Sequence, residues 1–423
     1  MRHAATVLIL ASLGLTTATA DSPWPHWRGP SQNGVADGPA PTRWSRTENV
    51  LWRTPLPGAA GSTPIVVADR IFLTTLDGQT LRLLCYSTAG EELWTRKLGS
   101  GNKNARGDEG NFASPSPVTD GEYVYAFVGT GELAAYSVEG KRRWHVDLQR
   151  RFGRFEIQFG MSSSPVVHDG KLLVALLHGD GDPGTREATV AALDTATGET
   201  VWAINPVTGA ARENEHSYAS PMLAETSAGP RLVVHGAEHT LIYDPATGGE
   251  VARLAGLNPT GNPTQRFVAS PAFGAGTLVV PTAKNGLVTA VDLARLDGRQ
   301  DLGGDAVLWT MRRNTPDVPS PVVAGEFVYL CRENGNLICL DRTTGRIHYQ
   351  ERTHMMRHRA SPLLADGKLY LTARDGRVTV VKAGADFEVL AVNEIDEDVS
   401  SSPVLVDGTL YLRSFDALWA IGD

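Results

Sequence analysis

Two histidines and a glutamate stand together in His235-Gly236-Ala237-Glu238-His239. On one helical face such a set could hold a zinc ion, with the glutamate as general base. Here apolar runs at residues 232–234 and 241–243 flank the motif, and Gly236 sits inside it. That pattern predicts a hairpin turn, where positions four apart do not share a helical face. His354 and His358 are also four apart, in a stretch that reads as a loop before a strand. Asp180-Gly181-Asp182-Pro183-Gly184 alternates acids that a Ca²⁺ could use, but lacks the further ligands and distal glutamate of an EF-hand loop, so a plain turn is expected. Gly129-Thr130-Gly131 is followed by neither a helix nor a lysine, which argues against a phosphate cradle. No strand-to-helix nucleophile elbow is visible. Any site must therefore be assembled by the fold from residues distant in sequence.

The chain has 423 residues, 39 basic and 47 acidic, for a net charge of −8. Its 42% hydrophobic content is enough for a large core. The acidic balance disfavours nucleic acid or an anionic membrane as main partner. Residues 1–20 read as an export signal: Arg2, an apolar stretch at 4–15 too short to span a bilayer comfortably, then Ala18-Thr19-Ala20. No later apolar run could cross a membrane, so a periplasmic or secreted monomer is the expectation, with residues 21–47 as an N-terminal segment. Cys85, Cys331 and Cys339 make an odd, sparse set, which does not make a disulfide framework. With Asn334-Gly335 as a two-residue turn, Cys331 would face Ile338 rather than Cys339, so free buried thiols are expected.

One phrase recurs: Ser-Pro, a few apolar residues, a glycine turn, and a short apolar strand. It begins at Thr63-Pro64, Ser116-Pro117, Ser164-Pro165, Ser220-Pro221, Ser270-Pro271, Ser320-Pro321, Ser361-Pro362 and Ser402-Pro403, at intervals of 41 to 56 residues. That is the period of propeller blades. In the seventh unit, strands are expected at 362–365, 368–372, 377–382 and 387–392, joined by Asp-Gly turns. The fold expected is all-β: an eight-bladed β-propeller of four-stranded antiparallel blades over residues 48–423, with seven blades as the alternative. The eighth unit lacks a fourth strand, and residues 48–56 read as the strand that completes it and closes the ring.

A second phrase marks the outer half of each unit, as in Ala192-Leu193-Asp194-Thr195-Ala196-Thr197-Gly198-Glu199-Thr200-Val201-Trp202. The aspartate can cap its own turn, the glycine supplies positive φ, and the indole fills space between blades. Trp94, Trp144 and Trp309 hold the same slot, Tyr349 ends the sixth unit, and the fourth unit has Ala252 there. In such a ring the loops entering each innermost strand and those between second and third strands share one face around a central channel. These loops supply a polar rim, with Glu109, Asn111, Gln158, His216, Arg266, Lys284, Asp317 and Arg359 as the candidate ligand set of the funnel.

The A-x-D-x-x-T-G-x-x-x-W phrase resembles the PQQ-like (quinoprotein-type) β-propeller repeat family, which spans quinoprotein alcohol dehydrogenases and an outer-membrane assembly factor. The opening Trp24-Pro25-His26-Trp27-Arg28-Gly29-Pro30 also resembles exported PQQ-like repeat proteins. For an enzyme, the resemblance implies PQQ over a Ca²⁺ in the funnel, an adjacent Cys-Cys disulfide above it and a tryptophan beneath. No two cysteines here are adjacent, no tryptophan reads as free to floor a cofactor, and no cysteine for a lipid anchor follows the apolar stretch. The leading expectation is a non-catalytic exported scaffold that binds a protein or a cell-envelope polymer through its loop face, with no cofactor and no resident metal. The alternatives are a PQQ-dependent dehydrogenase with a divergent funnel and a small-ligand sensor.

Overall fold

The computed structural model describes residues 23–105, 110–178, 188–210, 212–283 and 285–422. The export-signal reading, Glu109, Lys284 and the 180–184 turn lie outside the described residues.

The eight repeats form eight antiparallel sheets arranged as the blades of a propeller. Blade 3 shows the pattern: Val166–His168 is innermost, followed by Lys171–Leu176, Thr189–Asp194 and Thr200–Ile204. The two middle strands are almost wholly buried, because each is covered on both faces by a neighbouring blade. Leu172, Val174 and Leu176 of blade 3 accordingly pack with Tyr125, Phe127 and Ala135 of blade 2. A strand buried on both sides needs a continuous apolar run rather than alternation, and these sequences supply it.

Blade 8 takes Val404–Val406, Thr409–Arg413 and Ala417–Ile421 from the end of the chain. Its outermost strand is Val50–Pro55, antiparallel to Ala417–Ile421. Both ends of the described chain thus build one sheet, and no blade edge is left open at the seam.

The recurring indoles join blade to blade. Trp94, Trp144, Trp202 and Trp309 each donate their Nε1–H to a backbone carbonyl in the next blade's turn, at 2.8 to 3.1 Å. Each ring also lies against the glycine of that turn, at Gly140, Gly198, Gly248 and Gly345. Trp52 repeats the arrangement across the seam, on Gly90 and the carbonyl of Thr88. Six blades carry an aromatic ring in this slot; blade 7 has Ala391 there, and blade 4 has Ala252. There an excursion of blade 5 reaches back, adds Gly298–Gln300 in parallel to Glu250–Leu254, and packs Leu293, Leu296 and Leu302 around Ala252.

Two local expectations are corrected. In blade 7 the outer strand is Val389–Glu394, two residues later than expected, because residues 383–388 are spent in a turn closed by the Lys382 N–H on the Glu388 carbonyl. The hairpin after Cys331 has Glu333, Asn334 and Gly335 in its loop, with Gly335 at φ +75°, so Cys331 stands opposite Leu337 rather than Ile338. All three thiols are free and buried, and burial raises the pKa of each.

A strap from the N-terminal segment crosses the channel at the far end of the innermost strands. Trp24 pairs with Val66 of blade 1, and the Pro25 carbonyl accepts from Thr119 of blade 2. Gln32 Oε1 accepts from Leu223 N of blade 4 and Asn33 Oδ1 from Val323 N of blade 6. Val35–Ala36 then pairs in parallel with Leu363–Ala365 of blade 7. Innermost strands carry backbone donors that no other strand of their sheet can reach. The strap satisfies several of them and closes that end of the channel.

Candidate functional site: a blind central well

At the opposite end, the residue before each recurring proline of the repeat turns its side chain toward its neighbour. Thr63 N–H donates to Ser116 Oγ, Ser116 to Ser164, Ser164 to Ser220 and Ser220 to Ser270. Ser270 donates to Ser320, Ser320 to Ser361, Ser361 to Ser402, and Ser402 N–H to Thr63 Oγ1. The eight bonds measure 2.9 to 3.0 Å and form a closed circle, one residue per blade. A residue before proline is held extended, and proline itself has no N–H to donate. The phrase therefore presents one donor and one hydroxyl at the same height in every blade.

This hydroxyl ring lines a cavity of about 240 Å³ on the propeller axis. Phe159, Tyr218, Val268 and Val318 form an apolar wall, and Trp27 of the strap lines the cavity too. The Arg266 guanidinium lies 5.0 Å from the centre of the Phe159 ring. Arg28, beside Trp27, is buried and donates to the carbonyls of Asn33 and Pro321, the latter one residue after the ring serine Ser320. Burial alone lowers its pKa to about 9. The sequence did not mark Trp27 as a lining residue, because its place depends on a strap whose path is fixed only once the ring exists.

Of the candidate ligand set, Asn111, Arg266, Asp317 and Arg359 line this cavity. Asn111 is also a clamp for its own loop, since Nδ2 donates to Ala59 O at 2.7 Å and Oδ1 accepts from Ala113 N at 2.9 Å. The backbone N–H groups of Asp317 and Val318 both donate to Glu333 Oε1, which fixes that entry loop. Gln158 is exposed outside the cavity lining. His216 is buried outside it, with its pKa lowered by burial against an opposing pull from Glu213. The hydroxyl ring and the Phe159–Tyr218 wall were not singled out from sequence. The signal was present in the hydroxyl residue that precedes every repeat proline, which reads as a repeat marker until the blades are placed side by side.

The His235–His239 motif is a hairpin, with Ala237 and Glu238 both at positive φ between Gly229–Gly236 and His239–Tyr243. Glu238 Oε1 accepts from Asn214 and Asn258 and so ties two loops together. His235 Nδ1 lies 3.0 Å from Thr240 Oγ1. His354 Nε2 contacts Asp375 Oδ2 at 2.9 Å, and His358 Nδ1 lies 2.9 Å from the Met356 carbonyl. Among the described residues no group of three His, Cys, Asp or Glu is placed to hold a metal.

These histidines give the protein an acid sensitivity. Burial lowers His235 and His358 from 6.5 to about 4. Their unfolded forms bind protons below about pH 6.5 while the folded forms do not, so stability is full above that pH and falls as pH drops toward 4. Each contributes a slope of up to about 1.4 kcal/mol per pH unit in that window. Thermal melts from pH 7.5 to 5 should show a falling midpoint, and His235→Gln should make the fall shallower. Equal slopes for both proteins would contradict the assignment.

An eight-bladed β-propeller built from Ser-Pro and Asp-x-x-Thr-Gly repeats around a blind axial well is the class that fold and site define. The chain belongs to the family described as outer membrane protein assembly factor BamB, whose model matches residues 35–181 and 186–414. Its structure is similar to that of BamB from Moraxella catarrhalis, at a TM-score of 0.63 and 14% identity, over 87% of this chain and 96% of that one. It is also similar to the quinohemoprotein alcohol dehydrogenase ADHIIG from Pseudomonas putida HK5, at 0.64 and 15%, over 95% and 80%. The computationally designed Ika8 protein superposes at 0.58 and 14%, over 88% of this chain and all of that one. These likenesses show the fold. No curated protein matches the chain.

A quinone held over Ca²⁺ would make specific demands on the well. Ca²⁺ takes six to eight oxygen ligands, carboxylates prominent among them. The described lining offers one carboxylate, Asp317, and the three cysteines are free, with no two adjacent in sequence and none in the lining. The described residues do not fit that group.

Proposed function

We propose that this protein is an exported, non-catalytic scaffold that holds an acidic segment of another protein on its loop face. One observation carries the reading: an exposed apolar and basic patch on the rim of blades 5 to 7, in a chain whose net charge is −8. Met355 is 77% exposed and Met356 46%, in the loop leaving Ile347–Arg352. Arg312 and Arg313, in the loop leaving Val307–Met311, are exposed, as is Arg352, and none of the three forms an ion pair among the described residues. Asn314 donates to Gln350, which links the two loops. Exposed methionines adapt to apolar side chains, and unpaired arginines favour carboxylates. Family membership supports the reading, and the export signal expected at residues 1–20 supplies the compartment.

The test is capture of partners from an envelope extract by the mature chain and by an Arg312→Glu, Arg313→Glu variant, with quantitative mass spectrometry. A partner with an acidic segment should be retained by the native protein and depleted at least about tenfold on the variant. Equal capture by both would overturn the proposed surface.

A further inference from the structure

We infer that the central well is a binding site for one carboxylate group borne on an apolar body. The starting point is hydrogen-bond bookkeeping on the ring. A hydroxyl has one proton to donate as well as lone pairs that accept. Each of the eight ring oxygens accepts one backbone N–H from the preceding blade. None donates its own proton to an acceptor among the described residues, although these residues are only 2 to 7% exposed and all line the cavity. Trp27 Nε1, an obligate donor, is likewise buried without a partner among the described residues. The well thus collects donors that lack acceptors, and a buried donor left unpaired costs free energy.

Charge and shape narrow the ligand further. The charged side chains of the described lining are Arg266, Arg359 and Asp317, a balance of one positive charge. Arg266 stacks on Phe159 and makes no ion pair among the described residues. A single negative charge matches this, and a polyanion does not. The volume of about 240 Å³ is below the range typical of drug-sized ligands, and one wall is Phe159, Tyr218, Val268 and Val318. A small acid with an aromatic or aliphatic body meets all of these conditions. So does the C-terminal carboxylate of a peptide that ends in an apolar residue. None of the rim-patch residues lines the well, and the Arg312→Glu, Arg313→Glu variant should bind the acid as the native protein does.

Calorimetric titration of the mature chain with 3-phenylpropanoate and with 3-phenylpropanamide tests the inference. The acid should bind and the amide should bind at least about tenfold more weakly, a difference of about 1.4 kcal/mol. Arg266→Gln should weaken the acid by a similar factor without moving the melting temperature. Ser320→Ala should weaken it as well, and Ser320→Thr, which keeps the hydroxyl, should restore it. A tetrapeptide ending in phenylalanine, with free or amidated C-terminus, separates the two sources: tighter binding of the free peptide assigns a chain terminus, and binding of the small acid alone assigns a metabolite-sized ligand. Equal binding of acid and amide, or no binding of either at about 10 mM, would mean a water-filled well and would overturn the inference.

Discussion

A chain lacking residues 48–56 is expected to melt at least about 10 °C below the intact protein, and to aggregate as it does so. The segment is short, but it does three jobs at the seam. Val50–Pro55 supplies the outer strand of blade 8, so its loss exposes the backbone edge of Ala417–Ile421. Trp52 seats its indole on Gly90, donates to Thr88 O at 2.9 Å, and lies 6.0 Å from the Tyr411 ring centre. Arg53 pairs with Glu397 at 2.7 Å, and Thr54 Oγ1 donates to Gly90 O at 2.7 Å. Removing a packed tryptophan alone costs about 3–5 kcal/mol. The ion pair, being half exposed on the arginine side, adds little. Scanning calorimetry decides the matter, and an unchanged melt would show that the seam holds without this strand.

Gly198→Ala and Gly345→Ala are expected to cost about 2–4 kcal/mol each, whereas Gly367→Ala should cost only about 1 kcal/mol. All three glycines have left-handed backbone, at φ +72°, +70° and +66°. They differ in what a Cβ would meet. At Gly198 it would stand 2.8 Å from the Trp144 ring, and at Gly345 2.6 Å from the Trp309 ring. At Gly367 nothing lies within 4 Å. The backbone penalty is common to the three, so the difference isolates the indole contact between blades. Urea unfolding midpoints for the three variants measure it. Equal losses would mean that the indoles do not transmit strain from one blade to the next.

The blades were legible in the sequence because their signals are local. In blade 7 the second and third strands, Lys368–Thr372 and Arg377–Lys382, fall where the Asp-Gly turns and apolar runs put them. The outer strand was displaced because its start depends on a turn and on a bulge between Val380 and Val381. The hairpin at Cys331 slipped by one residue for a related reason: Gly335 occupies a three-residue loop rather than a two-residue one. The site was less legible. Asn111, Arg266, Asp317 and Arg359 meet at the well because entry loops of different blades converge there. His216 and Gln158 come from similar loops but point elsewhere, and polarity alone does not reveal that. Trp27 and the strap are non-local. Their partners at Val66, Leu223, Val323 and Leu364 become neighbours only when eight innermost strands stand in a circle.

The continuity of that circle is the central claim, and amide hydrogen exchange of the eight ring residues tests it directly. Thr63 and Ser402 come from opposite ends of the chain, yet their amides bond at 2.9 and 3.0 Å like the other six. All eight should exchange together, at the rate of global unfolding. Fast exchange at Ser402 with protection elsewhere would show a ring open at its seam, and would contradict the closed well built upon it.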